Sequence, residues 1–257
     1  MDPDLLPLTL LGATAGLSTG AVGMGAGAIL APGLLYLGWA PVEVVTATLF
    51  VGWFIRVLAT LLAYGSGDWS RSTGINDLFV EQWLIKLAVI GAVPGAVAGT
   101  LISHHVSAPQ LRRAIGVMLL TIAGIEAVRM LARRGPRHFT LRAEVPVGLG
   151  FVGAATAAVT GIGTGTVVGG GLRLAYRGLT TAVVARATLV TAMFALTAVI
   201  VLRMPQVAIF GQTLPLLIGA VVGTALGGFA RDVLPERALR MALVTTIALS
   251  GLRIVIT

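Results

Sequence analysis

Two clusters of glycine and small hydroxyl residues carry the chemistry that this sequence offers. The first reads Gly16-Leu17-Ser18-Thr19-Gly20-Ala21-Val22-Gly23-Met24-Gly25-Ala26-Gly27. The second reads Thr160-Gly161-Ile162-Gly163-Thr164-Gly165-Thr166 and runs on to Gly169-Gly170-Gly171. Glycines spaced by two favour a break or sharp hairpin over one straight helix. A helix that restarts after a break presents unpaired N–H groups and the positive end of its dipole. Together these bind anions. Ser18, Thr19, Thr160, Thr164 and Thr166 are the hydroxyls nearest the breaks and could donate to an oxyanion.

Arg56 would add a full positive charge. It falls near the middle of an apolar stretch, where a charge costs at least ~2.5–3.5 kcal/mol unless paired or hydrated. It reads as a contact for a substrate anion; the alternatives are pairing with Glu126 or with a structural carbonyl. Other charges have simpler readings. Glu126, three residues before Arg129, suggests a local ion pair. Arg186 suggests an interfacial charge near a helix start, and Arg173 is ambiguous within the second cluster.

Other chemistries find little support. There is no Cys, which removes disulfides, thiolate metal sites and a Cys nucleophile. An intramembrane enzyme would need a nucleophile–base pair or metal ligands at depth. His104 and His105 instead fall with Ser103 at an expected helix end, no HExxH occurs, and Asp is absent from the apolar cores. The glycine clusters lack the soluble βαβ context of a dinucleotide site. The expectation is a protein that is not an enzyme and has neither cofactor nor metal.

These residues sit in a chain built for lipid. Of its 257 residues, 56% are hydrophobic and 11% charged, with a mean hydropathy of +0.96. Soluble domains carry about 25% charged residues. The chain therefore reads as an integral membrane protein whose first partner is the bilayer. Its net charge of +8 does not signal nucleic acid. Arg129, Arg133, Arg134, Arg137 and Arg142 crowd one central loop, as a cytoplasmic loop does under the positive-inside rule. Asp2 and Asp4 stand where a signal peptide needs positive charge, so the first apolar segment is expected to be retained.

A bilayer core of roughly 30 Å takes about 20 apolar residues per helix. The stretch from Leu5 to Val42 is uncharged and broken by the first glycine cluster except at its ends, and spans follow at 42–64, 82–102 and 110–131. After the basic loop 132–144 the order restarts: an uncharged, glycine-broken segment at 145–172, then spans at 181–204, 211–230 and 236–256. An offset of 140 residues aligns Gly23 with Gly163, Gly25 with Gly165, Tyr36 with Tyr176, Gly38 with Gly178 and Ala47-Thr48-Leu49 with Ala187-Thr188-Leu189; nine of the 28 positions in 23–50 are identical. An offset of 128 aligns Gly91-Ala92-Val93 with Gly219-Ala220-Val221 and Leu111-Arg112 with Leu239-Arg240. Internal duplication explains these matches. Gly91, Gly95 and Gly99, like Gly219, Gly223 and Gly227, have the spacing of close helix packing.

If each broken segment is a hairpin returning to its own side, the two halves are inverted; if each crosses once, they are parallel. With 132–144 inside and Arg56 and Lys86 left aside, the inverted arrangement puts twelve basic residues inside and four outside, and the parallel one eight and eight. Charge therefore favours inversion. The expected fold is an all-α integral membrane protein of two inverted-topology repeats, each a glycine-broken helical hairpin plus three transmembrane helices. Its parts are a first repeat at 1–131, a basic cytoplasmic linker at 132–144 and a second repeat at 145–257.

The paired motifs Gly23-Met24-Gly25-Ala26-Gly27-Ala28-Ile29-Leu30-Ala31-Pro32 with Ala47-Thr48-Leu49, and Gly161-Ile162-Gly163-Thr164-Gly165 with Ala187-Thr188-Leu189, resemble the TauE/SafE family of sulfite exporters over nearly the whole chain. The family usually has a run of glycines where this chain has Met24 and Ala26, and apolar residues where it has Gly169-Gly170-Gly171 and Arg173. The resemblance implies a multi-pass secondary transporter of the prokaryotic inner membrane. Its cargo would be small sulfur-containing anions such as sulfite or organosulfonates. Substrate would lie between the two breaks, near Ser18, Thr19, Gly23, Met24, Gly25, Thr48, Arg56, Gly161, Gly163, Thr164, Gly165 and Thr188. An anion channel is the alternative, and an intramembrane enzyme a weaker one. Proton or ion coupling and a homodimer are both compatible with this architecture.

Overall fold

The computed structural model describes residues 5–22, 25–65, 75–131, 142–176, 179–203, 210–233 and 236–256. Among them there are ten helices and no strand. Their order is α1 (Leu5–Val22), α2 (Gly27–Tyr36), α3 (Pro41–Gly65), α4 (Ile75–Ser103), α5 (Ala108–Leu131), α6 (Glu144–Thr160), α7 (Thr164–Ala175), α8 (Thr181–Arg203), α9 (Phe210–Val233) and α10 (Glu236–Ile256). The six unbroken helices match the spans expected from hydropathy, with α4 starting several residues earlier. Three segments are long and apolar enough by themselves to cross a membrane: Pro41–Leu58, Phe79–Ser103 and Val183–Leu202. Large exposed side chains such as Leu6, Phe79, Leu101, Phe229 and Ile256 coat the outside, as a surface solvated by lipid requires.

The breaks follow from backbone chemistry. At the second, Gly161 closes α6 at φ 74°, its N–H donating to Ala157 O at 2.8 Å. Gly163, at φ 129°, precedes α7. Both angles lie where a side chain is strained, so glycine is required at each. Thr160 braces the turn: its hydroxyl donates to Thr156 O at 2.8 Å and accepts the Ile162 N–H at 3.3 Å. At the first break α1 ends at Val22 and α2 starts at Gly27, while Gly23 and Met24 lie outside the described residues.

At each break the chain folds back on itself. Gly33 of α2 lies against Leu11 of α1. Gly171 of α7 lies against Leu149 of α6, and Gly153 against Val168. In both pairs residue numbers rise in one helix as they fall in the other, so α1–α2 and α6–α7 are antiparallel helical hairpins.

Small residues bring the longer helices into backbone contact. Gly219, Gly223 and Gly227 of α9 meet Thr9, Ala13 and Leu17 of α1 in that order, so these helices run in the same direction. Gly91, Gly95 and Gly99 of α4 meet Val147, Phe151 and Ala155 of α6, again in the same direction. A Cβ at any of these glycines would run into a carbonyl oxygen of the facing helix. Their helix-spaced pattern is therefore packing, as expected. By contrast, α5 and α10 run antiparallel: Gly116 faces Gly251 near their crossing, and Glu126 bonds Arg240 at 3.5 Å toward one end.

Glu126, 1% exposed, bonds Arg240 of α10, and its expected local pair with Arg129 involves a side chain outside those described. Arg186, read as a charge near a helix start, is buried between helices: it is 7% exposed, and its Nε lies 3.0 Å from Glu81 of α4. Burial of both partners explains the difference, because an intramembrane cation needs a counter-charge.

Candidate functional site

The two hairpin tips approach each other in the interior. A Cβ built on Gly27 would stand 2.9 Å from Gly161 O, and one on Gly161 3.1 Å from Cβ of Thr48. Between the tips lies a small cavity, part of it open to the surroundings. Its walls come from α2 and its approach (Gly25, Gly27), α3 (Thr48, Gly52, Arg56), the second break and α7 (Gly161 to Thr164, and Thr166) and α8 (Leu196).

Arg56 dominates the electrostatics. It is the one charged residue in this lining, and no carboxylate accompanies it among the described residues. Its Nη1 donates to Gly52 O at 3.2 Å, one helical turn back, which directs the head group inward. The other nitrogen, Nη2, lies between the breaks. A Cβ on Gly25 would stand 3.1 Å from it and one on Gly165 2.6 Å. Gly25 and Gly165 are matched by the 140-residue offset, so equivalent points of the two halves flank one guanidinium. The same offset pairs Arg56 with Leu196, which lines the same cavity.

Two hydroxyls in this wall are deeply buried. Thr48 is 1% exposed and Thr164 2%, and neither hydroxyl has a hydrogen-bond partner among the described residues. An unsatisfied buried hydroxyl is costly, so an acceptor entering the cavity would be welcomed by both. The N–H groups of Thr164, Gly165 and Thr166 open α7 without an intrahelical acceptor and begin at the cavity, whereas at the start of α2 Ala28 donates to Gly25 O and Ile29 and Leu30 to Ala26 O. A cation, two hydroxyls and the start of α7 converge here, and no carboxylate stands in the lining among the described residues. Chemically, that set suits an oxyanion. No group of three or more His, Cys, Asp or Glu residues gathers anywhere among the described residues to hold a metal.

Of the residues singled out from sequence, Gly25, Thr48, Arg56, Gly161, Gly163 and Thr164 line this cavity, and Gly165 abuts the Arg56 head group. Ser18 and Thr19 are not in the lining; their hydroxyls donate to Ala15 O of their own helix at 2.8 and 2.9 Å. Thr188 also stands apart, its hydroxyl facing Gly169 of α7. Gly23 and Met24 lie outside the described residues. The sequence reading passed over Gly27, Gly52, Ile162 and Leu196 as site residues. The duplication held the signal for Leu196, since it is the aligned mate of Arg56.

A family model described as Sulfite exporter TauE/SafE matches residues 8–254. No curated protein and no solved structure matches the chain.

Proposed function

The chain belongs to the TauE/SafE family of sulfite exporters, and on that premise we propose that it is a secondary transporter that exports small sulfur-containing anions, such as sulfite or organosulfonates, from a prokaryotic cell. Membership makes it a multi-pass membrane transporter. The finer reading rests on the cavity. The observation that carries it is the Arg56 guanidinium held between Gly25 and Gly165, at the meeting point of the hairpin tips. Substrate oxygens would take hydrogen bonds from Arg56, from the Thr48 and Thr164 hydroxyls and from N–H groups at the start of α7.

Two inverted repeats, residues 1–131 and 145–257 joined by the basic linker 132–144, would supply the moving parts. The antiparallel run of α5 and α10 supports inversion. Parallel repeats of four crossings each would put these equivalent helices in the same direction. The antiparallel hairpins support it too, because each returns its chain to the side from which it came. A binding site at the junction of two such repeats is the arrangement from which alternating access is built. Rocking one repeat against the other would open the cavity first to one side and then to the other.

Sulfite efflux from proteoliposomes holding the purified chain tests this reading. Arg56→Gln should lower efflux by at least about tenfold, the effect of losing roughly 1.4 kcal/mol of binding. Unchanged efflux from that variant would remove Arg56 from the site, and conductance far above carrier turnover in a planar bilayer would replace the carrier by a channel.

A further inference from the structure

We propose that this cavity discriminates by charge, taking singly charged oxyanions and rejecting doubly charged ones, and that Leu196 sets this limit. The inference rests on the cavity being the transport site.

The walls hold one full positive charge, Arg56, and no carboxylate among the described residues. Duplication of the chain offers a second place for a cation, the position that the 140-residue offset pairs with Arg56. Leu196 stands there, 3% exposed, in the same wall. Two arginines facing each other would suit a dianion. One arginine, with a leucine at the matched position of the wall, leaves a dianion with an uncompensated charge in a desolvated site, which is strongly disfavoured. A monoanion is neutralised by Arg56, and its remaining oxygens can accept from Thr48 and Thr164, whose hydroxyls are buried without partners. The start of α7 contributes a partial charge spread over several N–H groups. It orients the oxygens and does not replace a second counter-ion. Ile162 and Leu196 complete an apolar side of the cavity, which suits an uncharged corner of the ligand.

The consequence for sulfite is direct. Sulfite gains a proton near neutral pH, and its singly charged form is then the cargo. Methanesulfonate is singly charged throughout and serves as the reference; sulfate is doubly charged throughout.

The test uses the full chain in proteoliposomes, with labelled sulfite and methanesulfonate and with sulfate and methanesulfonate as competitors. Methanesulfonate should compete at least about tenfold better than sulfate. Sulfite transport should rise as pH falls through neutrality while methanesulfonate transport stays level. Leu196→Lys should narrow the gap between the two competitors by about tenfold, the scale of one added charge contact. The wild-type competition and pH profiles carry the test if that variant does not fold. Equal competition by sulfate overturns charge selection while leaving anion transport in place. A parallel rise of methanesulfonate transport on acidification also overturns it, by assigning the pH effect to the protein. Failure of all these anions to be transported or to compete would instead remove the transport reading on which the inference rests.

Discussion

The guanidinium of Arg56 packs so closely on Gly165 that a Cβ at that position would stand 2.6 Å from Nη2. The nearest atoms belong to the end of a flexible side chain, so the fold can absorb the added methyl by moving Arg56. Gly165→Ala should therefore leave folding intact and lower sulfite efflux by about tenfold or more. Gly124→Ala is the matched control, because nothing lies within 4 Å of a Cβ there. Equal efflux from both variants would show that the position of the Arg56 head group does not matter.

Lysine is not an adequate substitute at position 56. It keeps the charge and loses the planar fork that lets Nη1 hold Gly52 O while Nη2 faces the cavity. Arg56→Lys is expected to retain measurable transport with weaker anion affinity, falling between wild type and Arg56→Gln in a concentration series of sulfite.

Thr48 and Thr164 can be tested without damage to the core. Their hydroxyls make no hydrogen bond among the described residues, so replacement by valine removes a desolvation penalty rather than a bond. Thr48→Val and Thr164→Val should unfold at the same or a higher temperature in detergent. Anion affinity should nevertheless fall, by about 0.5–1.5 kcal/mol for each lost hydrogen bond. A loss of thermal stability with unchanged affinity would make these hydroxyls structural.

The Arg186–Glu81 pair joins α8 to α4 at 3.0 Å, with the two side chains 9% and 5% exposed. Removing one partner leaves a buried charge, which typically costs 3–5 kcal/mol. Glu81→Leu should consequently destabilise the protein strongly in detergent. The double variant Glu81→Leu with Arg186→Met should recover much of the loss.

The absence of cysteine makes the proposed inversion simple to check by labelling. Ala40 and Thr180 are matched by the 140-residue offset, and both are exposed just before α3 and α8. Single cysteines at these two positions should react with a membrane-impermeant reagent from opposite sides. Labelling from the same side would require parallel repeats.

Much of the scaffold was legible beforehand because its causes are local. An uninterrupted apolar run of the right length must become a helix in lipid, so the six long helices could be read from hydropathy, apart from the early start of α4. The breaks were legible too, since Gly161 and Gly163 occupy backbone angles that other residues avoid. Charges were read less well. Arg186 was assigned from its place in the chain, whereas its partner, Glu81, comes from a distant helix, and Arg240 of α10, which sequence reasoning did not pair with Glu126, bonds it. The hydroxyls of Ser18 and Thr19 were natural candidates by proximity to a break, yet each sits a turn from a carbonyl of its own helix and bonds it.

The sequence by itself determined the solvent of this protein, the positions of most of its helices and of its breaks, and the residue matches between its two halves. Each depends on composition or on neighbours within a few residues, or on comparing one stretch of chain with another. Tertiary structure alone decided which elements of the halves meet. It set Gly25 and Gly165 on either side of one guanidinium, turned Thr48 and Thr164 into a shared wall, and sent Thr188 elsewhere although it aligns with Thr48. The physical reason is that a side chain's direction into a cavity is fixed by the rotation and depth of packed helices, and the small residues that set that packing act between segments far apart in the chain.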